Sequence, residues 1–274
     1  MATEINTVSP TETTQSQPLQ LQDRVAIVTG GSRGIGRAIS LYLASLGAKL
    51  IVNYSSSPTE ADQIVSEINS KSQSQSQSPR AVSVKADVSD PIQVKALFDA
   101  AESAFDSPLY ILVSCAGVLD PSYSSIPNSS LEEFDRTFAV NTRGAYLCCK
   151  EAANRLKQGG GGRIICLTSS MVVALSPGFG AYAASKAAVE AMVKILAKEM
   201  KGTRITANCV APGPIATDMF YKGKTEEMVN KAIEVSPLGR LGVPEDVAPL
   251  VGFLASDAGE WINGQIVRVN GGYV

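Results

Sequence analysis

The chain has 274 residues, 24 Lys and Arg against 26 Asp and Glu, a net charge of −2, and no histidine. Without an imidazole, Ser-His-Asp and Cys-His nucleophilic catalysis and His-ligated zinc are excluded. The balanced charge leaves no footprint for nucleic acid or an anionic membrane, and a composition 45% hydrophobic yet 6% aromatic describes the Ala, Val, Ile and Leu core of a parallel sheet covered by helices.

In chain order, residues 1–22 are rich in Thr, Ser and Gln and read as a disordered polar tail. They lack a signal-peptide core, and Glu4, Glu12 and the absence of Arg before Arg24 argue against a transit peptide. The expected location is cytoplasmic, with organellar targeting by the tail left open. From residue 23, β-branched runs at 25–29, 49–54, 81–86, 110–115, 163–168, 203–210 and 265–269 read as strands. Helical spacing occupies 35–46, 59–68, 91–105, 131–157, 182–200 and 245–256. The alternation predicts one α/β domain over 23–274, a doubly wound, seven-stranded parallel sheet with right-handed crossovers and helices on both faces. The Ser-Gln repeat within 70–79 cannot bury apolar surface and predicts a flexible loop. No run reaches the roughly 18 apolar residues of a membrane span. Cys115, Cys148, Cys149, Cys166 and Cys209 form no C-x-x-C pair and read as free thiols in a reducing compartment, not metal ligands.

Ligands of such sheets bind outside the carboxyl ends of the strands, where the glycine, proline and small polar clusters of this sequence fall. Gly30, Ser32, Arg33, Gly34, Ile35 and Gly36 follow the first strand and open a helix, a site for a pyrophosphate, although the spacing is T-G-x-x-x-G-x-G and not G-x-G-x-x-G. A tight turn without a ligand is the alternative. The second strand ends in Asn53, Tyr54, Ser55 and Ser56 without the carboxylate that would take a ribose 2′-hydroxyl. Together with Arg33, those hydroxyls suit a 2′-phosphate and predict NADP(H).

Tyr182 and Lys186 lie i and i+4 on a helix, so phenol and ammonium share a face. A phenol titrates near pH 10, and Lys186, with the positive nicotinamide ring when the cofactor is oxidised, is expected to lower that value for general acid work. Ser169 can donate to a carbonyl oxygen; Ser170 beside it could exchange roles. Taken together, Thr29 to Gly36, Asp87-Val88, Asn141, Ser169, Tyr182-Ala183-Ala184-Ser185-Lys186 and Pro212-Gly213-Pro214-Ile215-Ala216-Thr217 resemble the motifs of the short-chain dehydrogenase/reductase family, over residues 24–274. Val52-Asn53-Tyr54-Ser55, Glu190-Ala191-Met192 and the run from Ser256 to Gly264 resemble its plant NADPH-dependent aldehyde reductase-like branch.

The resemblance implies a Rossmann fold and a set of roles. Tyr182 would be the general acid, Ser169 the carbonyl-orienting donor, Lys186 the ribose anchor, and Asn141 the holder of a proton-relaying water. Asp87 and Val88 would meet adenine; Ser114, Ala116 and Gly117 would let the cofactor approach; Pro212, Gly213, Ile215 and Thr217 would contact the nicotinamide half. Ser114-Cys115 stands where the family has Asn-Asn, which predicts weaker local bracing with the reaction intact. A homotetramer or homodimer is implied, packed through the helices at 131–157 and 182–200. Substrate would meet Ser169, Met171, Phe179, Met219 and Phe220, with a lid at about 215–236. Their apolar character favours an aldehyde or ketone over a carboxylate. The activity implied is NADPH-dependent carbonyl reduction; a 3-oxoacyl thioester reductase and a non-catalytic dinucleotide sensor are the alternatives.

Overall fold

A computed structural model describes residues 20–72 and 78–274; of the disordered tail read over 1–22, residues 1–19 lie outside the described residues, as does the centre of the flexible loop at 70–79, whereas Leu21 is ordered, fully buried in the core and bonded through its N–H to Leu46 O (2.9 Å). Seven parallel strands form one sheet in the order β3-β2-β1-β4-β5-β6-β7: β1 Val25–Thr29, β2 Lys49–Tyr54, β3 Ala81–Lys85, β4 Leu109–Ser114, β5 Arg163–Leu167, β6 Thr206–Pro212 and β7 Ile266–Val269. Successive β1 side chains point to opposite faces and both faces are covered. Val25 and Ile27 enter one core with α3 (Pro91–Ala104), α5 (Ala145–Arg155) and α7 (Gly180–Glu199). Ala26 and Val28 enter the other, with α1 (Gly34–Ser45), α2 (Pro58–Ser72) and α10 (Pro244–Ala255). This two-sided burial is why the strands read as continuous apolar runs. Strand order reverses between β1 and β4, opening the crevice where such sheets take ligands.

Local signals explain most element boundaries. Asp90 caps α3 by accepting from Ile92 and Gln93 N–H (2.8 and 3.4 Å), with Pro91 in the first turn. The predicted single helix over 131–157 is instead α4 (Leu131–Phe138), a π-helical turn at Ala139–Gly144 and α5. The sixth strand begins at Thr206 rather than 203, because Gly202 and Arg204 take left-handed backbone (φ 88° and 60°) while Thr203 Oγ1 donates to Met200 O at the end of α7. Three short helices absent from the sequence reading follow the carboxyl ends of β5 and β6: α6 (Met171–Ala174), α8 (Asp218–Tyr221) and α9 (Glu226–Glu234). No helix among the described residues is long and apolar enough to cross a membrane.

Candidate active site

The turn from β1 into α1 is built so tightly that only glycine fits. Gly30 has φ 60°, and a Cβ there would stand 2.9 Å from Ala116 Cα; a Cβ on Gly36 would stand 2.2 Å from Gly30 O. The turn is braced from both neighbouring strands. Asn53 Oδ1 accepts from Gly30 N (3.2 Å), and Asn53 O from Gly31 N (2.8 Å). On the other side Thr29 Oγ1 accepts from Cys115 N and Ala116 N (3.0 and 3.1 Å). Cys115 and Ala116 are thus tied to β1 despite the missing asparagine pair, and neither brace was recognised in the sequence.

The start of α1 is open to an anion. Its N-cap residue Arg33 makes no side-chain cap and the first turn holds no acidic residue, so unpaired N–H groups and the positive end of the helix dipole face outward. Arg33 is exposed and makes no ion pair with any described residue. Ser55 and Ser56 are exposed near the end of β2, and Ser32, Gly34 and Ile35 complete the turn. Gly34 lies against Thr217: a Cβ on it would be 3.4 Å from Thr217 Cγ2. The loop after β6 therefore meets the glycine turn across the crevice, with Pro212 and Ile215 buried behind it and Gly213 N bonded to Val269 O. Glycine cradle, uncapped helix start and free guanidinium fit a dinucleotide with a 2′-phosphate.

Two residues assigned to cofactor contact are placed differently. Asn53 is 1% exposed, with its Nδ2 donating to Val84 O and Ala86 O (3.2 and 3.0 Å). Its side chain holds the glycine turn from behind instead of reaching outward. Val88 is buried against Gly144, where a Cβ would stand 2.7 Å from Val88 Cγ2, so its side chain belongs to the core; exposed Asp87 uses its carboxylate to accept from Ser89 N and Oγ. Tyr54 is half-buried and Ser114 buried.

Asn141, Ser169, Tyr182 and Lys186 come together at the carboxyl edge of β4 and β5. Ser169 Oγ accepts from Met171 N (3.1 Å) and lies near enough to the Tyr182 phenol to favour its ionised form. Ser170 is fully buried instead, donating to Ala211 O (3.1 Å) and accepting from Asn270 Nδ2 (3.1 Å), so of the two serines Ser169 faces the phenol. Lys186 is 4% exposed, donates to Leu167 O (2.9 Å), and its Nζ lies 5.9 Å from the Tyr182 ring centre. Asn141, in the π-helical turn, accepts from Val118 N (2.8 Å) and donates to Val118 O and Ser185 Oγ (2.9 and 3.1 Å). Its side chain is spent on the protein, and Ser185 in turn donates to Tyr182 O (2.7 Å). Gly117 closes the cluster: a Cβ there would meet Asn141 Oδ1 and Lys186 Nζ at 3.3 and 3.4 Å.

The electrostatics correct one expectation. Burial raises the Tyr182 phenol above its usual value, and the neighbouring Ser169 hydroxyl only partly opposes this. Among the protein groups acting on the phenol Lys186 is absent; burial lowers the ammonium itself, with the nearby Cys115, Cys166 and Cys209 thiols acting the other way. Burial likewise pushes the Cys115 thiol up to about 11, leaving it a poor nucleophile. All five cysteines are free, and no group of three or more metal-ligating side chains exists among the described residues.

At the mouth, Phe179 packs edge-on to Tyr182 with ring centres 6.4 Å apart, and Met171 begins α6 directly after the serines. Phe220 is half-buried, whereas Met219 is 41% exposed. Two mouth residues went unrecognised in the sequence: Tyr123, packed at a tilt against Phe179 with ring centres 5.2 Å apart, and Lys224, whose ammonium lies 4.4 Å from the centres of both the Tyr123 and Phe220 rings.

Comparison with known proteins adds identity to this geometry. A family model described as enoyl-(acyl carrier protein) reductase matches residues 30–274. The chain is 65% identical over 260 residues to the chloroplastic NADPH-dependent aldehyde reductase-like protein of Arabidopsis thaliana, covering 94% of this chain and 96% of that protein. It is 58% identical over 261 residues to the chloroplastic NADPH-dependent aldehyde reductase 2 of the same plant, with the same coverage, 94% and 96%. A short-chain dehydrogenase from Burkholderia cenocepacia J2315, solved in complex with NADP, superposes with a TM-score of 0.84 at 34% identity, covering 93% of this chain and 99% of that one.

Proposed function

Because the chain belongs to the short-chain dehydrogenase/reductase family, we propose that it is an NADPH-dependent carbonyl reductase that converts apolar aldehydes or ketones to alcohols. The observation that carries this reading is the Tyr182 phenol beside Ser169, with Lys186 one helical turn on, near the uncapped start of α1. The two Arabidopsis relatives are named for NADPH-dependent aldehyde reduction and the Burkholderia structure holds NADP, in keeping with the exposed Arg33 and the absence of a carboxylate closing β2.

Bound NADPH supplies the hydride. The chain supplies the rest. Ser169 Oγ donates to the carbonyl oxygen and aligns it with Tyr182, whose phenol passes its proton to that oxygen as the carbon is reduced. Lys186 places a cation over the Tyr182 ring, 5.9 Å from its centre, and would anchor the cofactor ribose. The Asn141 side chain locks the turn that faces them, leaving backbone carbonyls of the π-helical segment as the groups able to hold a water. Met171, Phe179 and Phe220 exclude bulk water from the substrate. The test is NADPH consumption by purified protein with a panel of apolar aldehydes and ketones: Tyr182→Phe should abolish turnover while NADPH still binds, and turnover surviving that change would remove the mechanism.

Two further readings complete the proposal. Tyr146, Ile195 and Trp261 are 52%, 55% and 97% exposed on α5, α7 and the approach to β7, which supports assembly as a homotetramer or homodimer, measurable by sedimentation. The chloroplastic names of the Arabidopsis relatives support an organellar location in place of the cytoplasmic one.

A further inference from the structure

We propose that Lys224 is a positioning residue, a cationic clasp that draws three separate segments together at the substrate mouth and so holds Phe179 against Tyr182, with Phe220 packed on the clasp itself. The proposal rests on the reductase reading for the identity of what enters the mouth.

The three segments are 121–123, after β4; 178–179, before α7; and 220–224, after β6. Their backbones approach as closely as backbones can. Gly223 has φ 77°, and a Cβ there would stand 2.0 Å from Pro121 O; Gly178 has φ 86°, and a Cβ there would stand 2.6 Å from Tyr123 O. Tyr123 is itself held in left-handed backbone, φ 50°, a conformation that a bulky residue keeps only when its surroundings insist. Glycine at 178 and 223 is what lets the segments touch.

Lys224 occupies the point where they meet. Its Nζ donates to Tyr123 Oη (2.5 Å) and to Phe220 O (2.7 Å), and Tyr123 Oη donates onward to Lys222 O (3.2 Å). The ammonium lies 4.4, 4.4 and 5.8 Å from the ring centres of Tyr123, Phe220 and Phe179, within range for cation–π attraction to each. No described carboxylate pairs with it, and its partial burial brings it from the ordinary lysine value to about 8. An ammonium lacking a counter-ion is held by aromatic faces and lone pairs, so its charge is spent on the rings that shape the mouth. Phe179 in turn packs on Tyr182 at 6.4 Å, which links the clasp to the proton donor without Lys224 touching the reacting atoms.

The experiment uses the full chain with NADPH. Lys224→Met keeps the side-chain length and removes the charge; KM for uncharged apolar aldehydes should rise about tenfold with kcat within roughly twofold, and Lys224→Arg should recover most of the loss. Amide hydrogen exchange over residues 220–224, whose N–H groups bond back to Thr217, Asp218 and Tyr221, should accelerate in Lys224→Met. It should accelerate too in Gly223→Ala, which opens the same contact without touching the charge. Wild-type exchange rates in both variants would overturn the clasp. So would a Lys224→Met enzyme that loses only aldehydes bearing a carboxylate, since Lys224 would then be an anion-binding group. If the wild type reduces no carbonyl compound, the reductase reading falls, and the exchange rates still decide whether Lys224 is a clasp.

Discussion

Thr29→Val isolates the seam between β1 and β4. The two side chains have nearly the same shape, and Thr29 is fully buried, so packing is preserved and the change falls on the hydroxyl. That hydroxyl accepts from Cys115 N at 3.0 Å and Ala116 N at 3.1 Å, leaving two amides without this partner in the variant. Each unsatisfied buried donor costs about 1–3 kcal/mol, together about 2–6 kcal/mol, which at about 2 °C per kcal/mol for a chain of this size lowers Tm by roughly 4–12 °C. Thermal unfolding followed by circular dichroism measures it directly. Because Gly30 packs on Ala116 with no room for a Cβ, the loosened seam should also weaken NADP⁺ binding, read as a smaller Tm rise on adding cofactor. A variant melting within about 2 °C of the wild type would refute the view that this hydroxyl stands in for the missing asparagines.

Arg33→Ala should raise KM for NADPH by tenfold or more and leave KM for NADH nearly unchanged; equal effects would place 2′-phosphate recognition elsewhere. With the Tyr182 phenol raised by burial, its proton is present at every neutral pH. At saturating carbonyl compound kcat for reduction should thus run flat from about pH 6 to 9 and fall only as pH rises through the phenol value, while KM rises as Lys224 loses its proton through about 8; alcohol oxidation, which needs the phenolate, should climb over the alkaline window. A reduction limb near pH 7 would contradict this. Asp246 accepts from Val243 N (2.8 Å) at the start of α10 and binds Arg240 through both oxygens (2.6 and 2.9 Å), and these bonds hold its carboxyl at about 2. Asp246→Ala should cost about 1 kcal/mol, a few degrees in Tm. The difference from wild type should persist down to about pH 4 and vanish as pH falls through about 2.

Much of this architecture can be read from residue types. Two-sided burial writes itself as apolar runs such as Val25 to Val28, and the glycine turn as Gly30 to Gly36, because each residue there answers a local demand. The strand 206–212 was misplaced by Thr203 and Ile205, β-branched residues used in a turn rather than a ladder. The π-helical turn at Ala139–Gly144 carries no periodic signal, since six residues cannot separate one helical repeat from another. Tyr182 and Lys186 announce themselves by sharing a helix face. Tyr123 and Lys224 do not, since only the fold brings them together, and without it Lys224 reads as a solvated surface charge. The titration of Tyr182 escaped for a similar reason: a sequence shows that a cation is near, but the desolvation that outweighs it depends on how deeply both groups sit.

The strand order also bears on how the chain reaches this state. Every pairing except one joins strands that follow each other along the chain; the exception is β1 with β4, where Val25 lies opposite Leu109 and all of β2, α2, β3 and α3 comes between. That joint closes the longest loop in the sheet, so it is the pairing most delayed by chain entropy. It is also the crevice where sheets of this kind take their ligands. The cofactor should therefore act on the ratio of rates unevenly, slowing the parting of the two half-sheets far more than it speeds their meeting, and the enzyme stored with NADP⁺ should outlast the empty one by its unfolding half-life even at temperatures where both are folded.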